Sequence, residues 1–270
     1  MQSGLELRKH AVFAKRDGNA MIVAMDHGSI AGPLDGLISP SSLVRTCVKA
    51  NVDGILATKG FLDASVSEWD RSTSLVLRLT GGFTVLGGGF EEELIVEAET
   101  ALACGASCAA ITIKFGHERE GKFIRQASLA IDQCHRLGLL VMVEALACGK
   151  IKGKTFPAND GEAIRMVARM GAELGADCIK THYTGNKESF ASVVEGCPVP
   201  ILILGGEKGR PLQFVFQDIY DSLQAGGRGI AMGRNIWQQK DLPGMLSCVN
   251  GLVHEKWSVS EALQRMGENP

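Results

Sequence analysis

Residues 108–146 read CAAITIKFGHEREGKFIRQASLAIDQCHRLGLLVMVEAL, and the pattern of this stretch decides the fold. Two apolar runs, starting at Cys108 and Leu139, flank a segment with helical spacing from Gly121 to Leu137. Both runs are short, nearly all apolar, and bounded by Gly or a polar cluster, as strands buried on both faces are. Equivalent runs start at Met21 (MIVAMDHG), Asp53 (DGILATKG), Thr84 (TVLGGGF), Cys178 (CIKTHY), Pro200 (PILILGG) and Gly229 (GIAMGR). Helical spacing fills the gaps. Ser39-Pro40 opens one helix in N-cap then N1 order, and Glu91–Ala103 carries acids in its first turn. Ser65–Leu79, Asp160–Leu174, Lys187–Val194, Pro211–Gln224 and Leu242–His254 supply the others. Eight strand–helix units predict an α/β protein of the (β/α)8 TIM-barrel type. A doubly wound open sheet is the competing arrangement. Against it, no Gly-x-Gly-x-x-Gly follows the first run, and Gly87-Gly88-Gly89 lies only at the third.

The chain has 270 residues, the size of one large α/β barrel. Its 33 glycines end apolar runs instead of forming a linker, so the expectation is one domain over residues 1–270. Residues 1–20 read as an N-terminal extension and 255–270 as a C-terminal tail. With 28 Lys and Arg against 30 Asp and Glu, the net charge of −2 offers no basic field for nucleic acid or an anionic membrane. An aromatic content of 6% likewise leaves little for stacking on bases. No apolar run approaches the roughly 18 residues of a membrane span. Met1 to Lys15 lacks the apolar core of a signal peptide, and the eight cysteines contain no Cys-x-x-Cys pair. Reduced, mostly buried thiols in a cytoplasmic protein are the expectation.

Barrels of this type carry their chemistry at the C-terminal ends of the strands, on side chains that alternate inward and outward. Parity groups Ile22, Ala24 and Asp26 in the first strand, and Ala110, Thr112 and Lys114 in the fourth. It groups Leu140, Met142, Glu144 and Leu146 in the fifth, and Cys178, Lys180 and His182 in the sixth. If these faces point inward, Asp26, Lys114, Glu144, Lys180 and His182 converge at one rim, with Lys59 at the end of the second strand as a further candidate. A structural ion-pair network is the bland alternative, since buried charge is costly unless paired. The position of all five near their strand ends favours function. A lysine among carboxylates, a second lysine and apolar walls is where an amine pKa can fall to give the neutral nucleophile of imine-forming enzymes. At the seventh and eighth strands, Gly205, Gly206, Gly233 and Arg234 suit a phosphate, with close backbone approach and a charged fork. A tight turn would explain the glycines equally well.

These residues resemble a class I aldolase family. It contains archaeal-type fructose-bisphosphate aldolase, 2-amino-3,7-dideoxy-D-threo-hept-6-ulosonate synthase and 3-hydroxy-5-phosphonooxypentane-2,4-dione thiolase. The resemblance runs from about Met21 to His254 and rests on Met25-Asp26-His27-Gly28, Ala176-Asp177-Cys178-Ile179-Lys180-Thr181, Gly196-Cys197-Pro198-Val199-Pro200-Ile201 with Gly205-Gly206, and Gly233-Arg234-Asn235-Ile236. It implies Lys180 as the imine-forming nucleophile, Asp26 as a polar partner, and Gly206, Gly233 and Arg234 as phosphate ligands. No cofactor beyond the covalent imine is implied. A ring-shaped homo-oligomer is. One departure stands out: the sugar-bisphosphate aldolases and the heptulosonate synthase end strand five in Tyr-Pro-Arg-Gly, the tyrosine acting as acid/base. Here the stretch is Leu146-Ala147-Cys148-Gly149. The thiolase branch also lacks the tyrosine.

Lyase chemistry on a phosphorylated ketose or ketone through Lys180 is therefore the expected activity. Glu144, with a carboxyl raised by burial, then His182, then His117 are the candidates for the missing acid/base. Three rivals follow. Acyl transfer of a phosphorylated diketone to coenzyme A would use the same imine. A metal-dependent aldolase would use His27, Glu144 and His182 as ligands, although parity turns His27 away from the interior. A noncatalytic phosphosugar-binding barrel would use Lys180 as a plain phosphate ligand.

Overall fold

The structure, a computed structural model, describes residues 2–13, 17–87, 89, 91–151, 154–206 and 209–268. Gly88, in the glycine run of the third apolar segment, lies outside them, as does Lys15.

Eight parallel strands close into a barrel: β1 (Ala20–Ala24), β2 (Gly54–Ala57), β3 (Ser74–Arg78), β4 (Cys108–Phe115), β5 (Leu140–Ala147), β6 (Cys178–Thr181), β7 (Ile201–Ile203) and β8 (Gly229–Met232). Each strand pairs with its neighbours in sequence, and β8 returns to β1 with Ala20 opposite Gly229. The alternation of side chains separates two apolar layers. Ile22, Leu56, Val76, Ala110, Met142, Cys178, Leu202 and Ala231, one from every strand, pack together inside. Their neighbours Val23, Ile55, Leu77, Ile111, Val143, Ile179, Ile203 and Ile230 pack outward against the helices. Both faces are apolar because both are removed from water.

One expectation fails here. The third strand is Ser74–Arg78, within the stretch read as a helix over Ser65–Leu79, and Thr84 opens no barrel strand. Instead Thr84 pairs with Gly87 in a tight turn, Gly87 takes a φ of 154°, and Leu86 is 94% exposed. The apolar spacing of Leu75, Val76 and Leu79 fits a helix locally, but pairing with β2 and β4 overrides that preference. The helix expected over Glu91–Ala103 covers only Ala98–Ala103, because Glu93–Leu94 pairs antiparallel with Thr80–Gly81 above the end of β3. The helices Pro40–Lys49, Glu120–Arg136, Gly161–Glu173, Lys187–Gly196, Leu212–Gln224 and Leu242–His254 lie where spacing placed them.

The described residues of both terminal segments include a helix packed on the barrel. Helix Gln2–Val12 closes the floor of the barrel: Val12 joins the interior layer, and Arg8 donates to the Gly138 carbonyl at 2.9 Å. Helix Val259–Arg265 opens with a capping box between Ser258 and Glu261 and buries Ala262 and Leu263. The eight cysteines are free thiols, none of them exposed. Among the described residues, no helix is long and apolar enough to cross a membrane.

Candidate active site

Inward parity carries the strands' C-terminal residues into one connected network at the mouth. Arg78, two residues beyond Val76 on β3, is its centre. Its Nε and Nη2 donate to Oδ2 of Asp26 at 2.8 and 2.6 Å. Nη2 also donates to Oε2 of Glu144 at 2.8 Å, and Nη1 to the Thr112 hydroxyl at 2.7 Å. The Thr112 hydroxyl in turn donates to the same Glu144 oxygen at 2.9 Å. Lys180 stands opposite Glu144 in the β5–β6 register, and its Nζ lies 2.7 Å from Oε1. Lys180 is 4% exposed, so this amine is inside the mouth and not on the rim's surface.

The electrostatics follow from these bonds. Burial alone would raise the Glu144 carboxyl, but Lys180 and Arg78 outweigh it and hold the group down at about 2. The expectation of a raised Glu144 is therefore corrected: both its oxygens face cations. Burial likewise works against the charge on Asp26, but Arg78 keeps it far below the usual carboxylate range. The same two carboxylates push the Arg78 guanidinium up against the effect of its own burial.

Two lobes of open space meet at Lys180, sharing His27, Glu144, Lys180 and Arg234 as common wall. The first, about 280 Å³, is lined by His182, Leu204, Gly205, Gly206, Gly233, Arg234 and Asn235. Gly233 sits where a Cβ would fall 2.6 Å from the Ala24 carbonyl, so only glycine lets β8 approach β1 this closely. That approach brings Trp237 Nε1 within 2.8 Å of the Ala24 carbonyl, while the Asn235 amide donates to the Gly205 carbonyl. Arg234 is half-buried and makes no ion pair among the described residues. The second lobe, about 490 Å³, is lined by Asp26, Arg78, Thr112, Lys114 and Glu92, with Ile30, Leu34, Phe83 and Leu146 as its apolar wall.

Not every expected residue joins the first lobe. Lys114 lines the second, beneath the Phe83 ring at 4.1 Å and 3.6 Å from Glu92, with no exposed surface. Burial pulls its ammonium below the usual lysine value, partly offset by Glu92. Lys59 starts the short helix Lys59–Asp63, is half exposed and pairs with Asp63 at 2.5 Å, outside both lobes. His117 is also outside both lobes: its Nδ1 accepts from the Arg119 amide at 3.0 Å and its ring packs on Phe123. His182 follows the last residue of β6 and lines the first lobe, where burial pushes its imidazole below its usual value and favours the neutral ring. His27, expected to face away, lines both lobes, because it caps the helix Gly28–Ala31 in helical backbone conformation and no longer follows strand alternation. Among the described residues no three His, Cys, Asp or Glu side chains, His27, Glu144 and His182 included, converge as a metal site.

Sequence reasoning missed Arg78 and Glu92. The signal for Arg78 was the run Ser74-Leu75-Val76-Leu77-Arg78, hidden by its reading as helix. Glu92 had no local signal, since it precedes a two-residue strand whose burial depends on the barrel beneath it.

Residues 20–239, nearly the whole barrel, match the model of the DeoC/LacD family aldolase. The chain belongs to this family. Within the family's wider circle, an uncharacterized aldolase of Saccharolobus solfataricus is 29% identical over 97% of this chain and 98% of its own length. A 3-hydroxy-5-phosphonooxypentane-2,4-dione thiolase of an Enterobacter species is 31% identical over 97% of this chain and 85% of its own. Among solved structures, a Schiff-base-forming fructose-1,6-bisphosphate aldolase is 30% identical with a TM-score of 0.84, covering 93% of this chain and 100% of that one. A structure of an archaeal fructose-1,6-bisphosphate aldolase, whose catalytic lysine is bound to a carbinolamine intermediate, gives 30% identity and a TM-score of 0.83. It covers 92% of this chain and 99% of that one.

Proposed function

We infer that this DeoC/LacD-family chain is a class I aldolase, a carbon–carbon lyase acting on a phosphorylated ketose or ketone through a Schiff base on Lys180. The observation that carries this reading is the Lys180 amine, buried where two lobes meet and 2.7 Å from a carboxylate that stays ionised. Glu144 holds the amine at this junction, while Arg78 and Thr112 keep the carboxylate from turning away. Attack on the substrate carbonyl and loss of water give an iminium, a better electron sink than the parent ketone, and no cofactor is needed.

The first lobe suits the phosphate. Arg234 presents a guanidinium to it, and Gly205, Gly206 and Gly233 line it without side chains. The second lobe then receives the remainder of the substrate, on the far side of Lys180. Borohydride reduction in the presence of a panel of ketose phosphates and dihydroxyacetone phosphate is expected to add substrate mass at Lys180, and Lys180→Ala is expected to lose both adduct and turnover, by at least ~10³-fold. No adduct with any member of the panel, together with retained activity in Lys180→Ala, would overturn the reading.

A second reading, imine-dependent acyl transfer to coenzyme A, is favoured by one observation: Leu146 stands in the second lobe where resemblance leads one to expect a tyrosine. Product analysis with and without coenzyme A separates the two. Cytoplasmic location and assembly into a homo-oligomer belong to the same reading, and light scattering of the purified chain tests the latter.

A further inference from the structure

The lyase reading requires a carrier for one proton. When the carbon–carbon bond breaks, the hydroxyl on the departing fragment must lose its proton as it becomes a carbonyl. Asp26 and Glu144 are poor acceptors, since Arg78 and Lys180 already stabilise their negative charge through short hydrogen bonds. His182 lines the first lobe only, on the phosphate side. Leu146 has no ionisable group.

Glu92 differs from all of these. It is 6% exposed, it lines the second lobe together with Lys180, and its Oε2 is buried without a hydrogen-bond partner among the described residues. A buried acceptor left unmatched in a closed core is unusual, and a ligand that brings a donor resolves it. The other oxygen is 3.6 Å from Lys114, which Phe83 covers. We propose that Glu92 is a catalytic residue, the acid/base that takes the hydroxyl proton of the departing fragment in the second lobe and returns it in the reverse direction. The assignment rests on the imine reading above.

The step balances without any further reactant. With the iminium on Lys180, the proton of the hydroxyl β to the iminium carbon passes to the Glu92 carboxylate. The O–H electron pair becomes the second bond of the aldehyde carbonyl. The pair of the broken carbon–carbon bond forms the enamine double bond, and the iminium nitrogen takes back its π pair. Protonated Glu92 then gives its proton to the enamine carbon, and water hydrolyses the restored iminium to free Lys180. The environment suits a group that cycles between both states. Burial raises the Glu92 carboxyl, and Glu144 adds to this, while Arg78, Lys114 and the Thr80 hydroxyl pull the other way. The adjoining Glu91 and Glu93 are engaged elsewhere, with Arg119 and Lys122.

Glu92→Gln and Glu92→Asp in the full chain test the assignment. Reductive trapping of dihydroxyacetone phosphate at Lys180 reports imine formation, and steady-state cleavage of the best ketose phosphate of the panel reports turnover. Glu92→Gln is expected to retain the Lys180 adduct, lower kcat by ~10²-fold or more with KM changed less than about threefold, and lose the acidic limb of the kcat–pH profile. Glu92→Asp is expected to recover part of kcat and to restore that limb. Turnover of Glu92→Gln within about threefold of the unaltered chain would overturn the proposal. So would equal losses of trapping and turnover in both variants, which would mark Glu92 as support for the fold of the lobe. Absence of any adduct in the unaltered chain would remove the imine reading, and this assignment with it.

Discussion

The two lobes at the barrel mouth are built from different materials. The one beneath β7 and β8 is lined by glycines, a half-buried Arg234 and the amide of Asn235, with few charges to desolvate. The one beneath β1, β3, β4 and β5 is a lattice of buried charge, in which a single guanidinium ties two carboxylates and a hydroxyl. On the proposed reading, a backbone-lined lobe holds a phosphate with groups the fold positions at little cost, so its loss should appear in affinity. A lattice of buried charge is a commitment of the fold, so removing one member should appear in stability as well as in rate.

The largest expected effect follows from that contrast. Arg78→Met keeps an unbranched apolar stem but strips buried Asp26 of its guanidinium partner and leaves Glu144 with Lys180 alone of the two cations it pairs with. It should cost about 3–5 kcal/mol of unfolding free energy by urea titration, together with most of the activity. A loss under 1 kcal/mol would show that the network is not needed to hold the mouth together. Arg234→Ala should leave stability nearly unchanged and raise KM for a phosphorylated substrate by about 10–100-fold, an effect of roughly 1.4–3 kcal/mol. Equal catalytic losses on phosphorylated and unphosphorylated substrates would erase the distinction between the lobes.

The smallest effect is in acid. Glu144 and Asp26 have carboxyls lower in the folded chain than in the unfolded one, so their contribution is present above the unfolded values near pH 4 to 4.5 and is lost as pH falls toward the folded ones. Stability should drop by roughly 1 kcal/mol between pH 5 and pH 4 from these two groups. Glu92 is raised instead and opposes the drop. Glu144→Gln should flatten the slope, and an unchanged slope in that variant would separate Glu144 from the acid sensitivity.

Much of this architecture could be read from residue order alone. Strands buried on both faces leave apolar runs such as Leu140–Val143 that have few other interpretations, and strand parity then places Lys114, Glu144 and Lys180 on inward faces. The third strand escaped because Leu75, Val76 and Leu79 also suit a helix, while Thr84–Gly89 imitates a strand ending in glycine. Losing Ser74–Arg78 meant losing Arg78, the hub of the network. His27 was misjudged because it caps the helix Gly28–Ala31 in helical backbone, where strand alternation no longer applies. The held-down carboxyl of Glu144 could not be inferred without its partners: burial and two nearby cations act in opposite directions, and only distance decides between them.

The bond from Trp237 to the Ala24 carbonyl fastens the first strand to the turn after the last, across the line where the barrel closes. A growing polypeptide therefore makes Asp26 and then waits more than two hundred residues for the segment that completes the wall beside it. Until that segment leaves the ribosome, Lys180, the proposed nucleophile, has no finished chamber around it. The nascent chain thus carries that lysine for some time before the cavity around it exists.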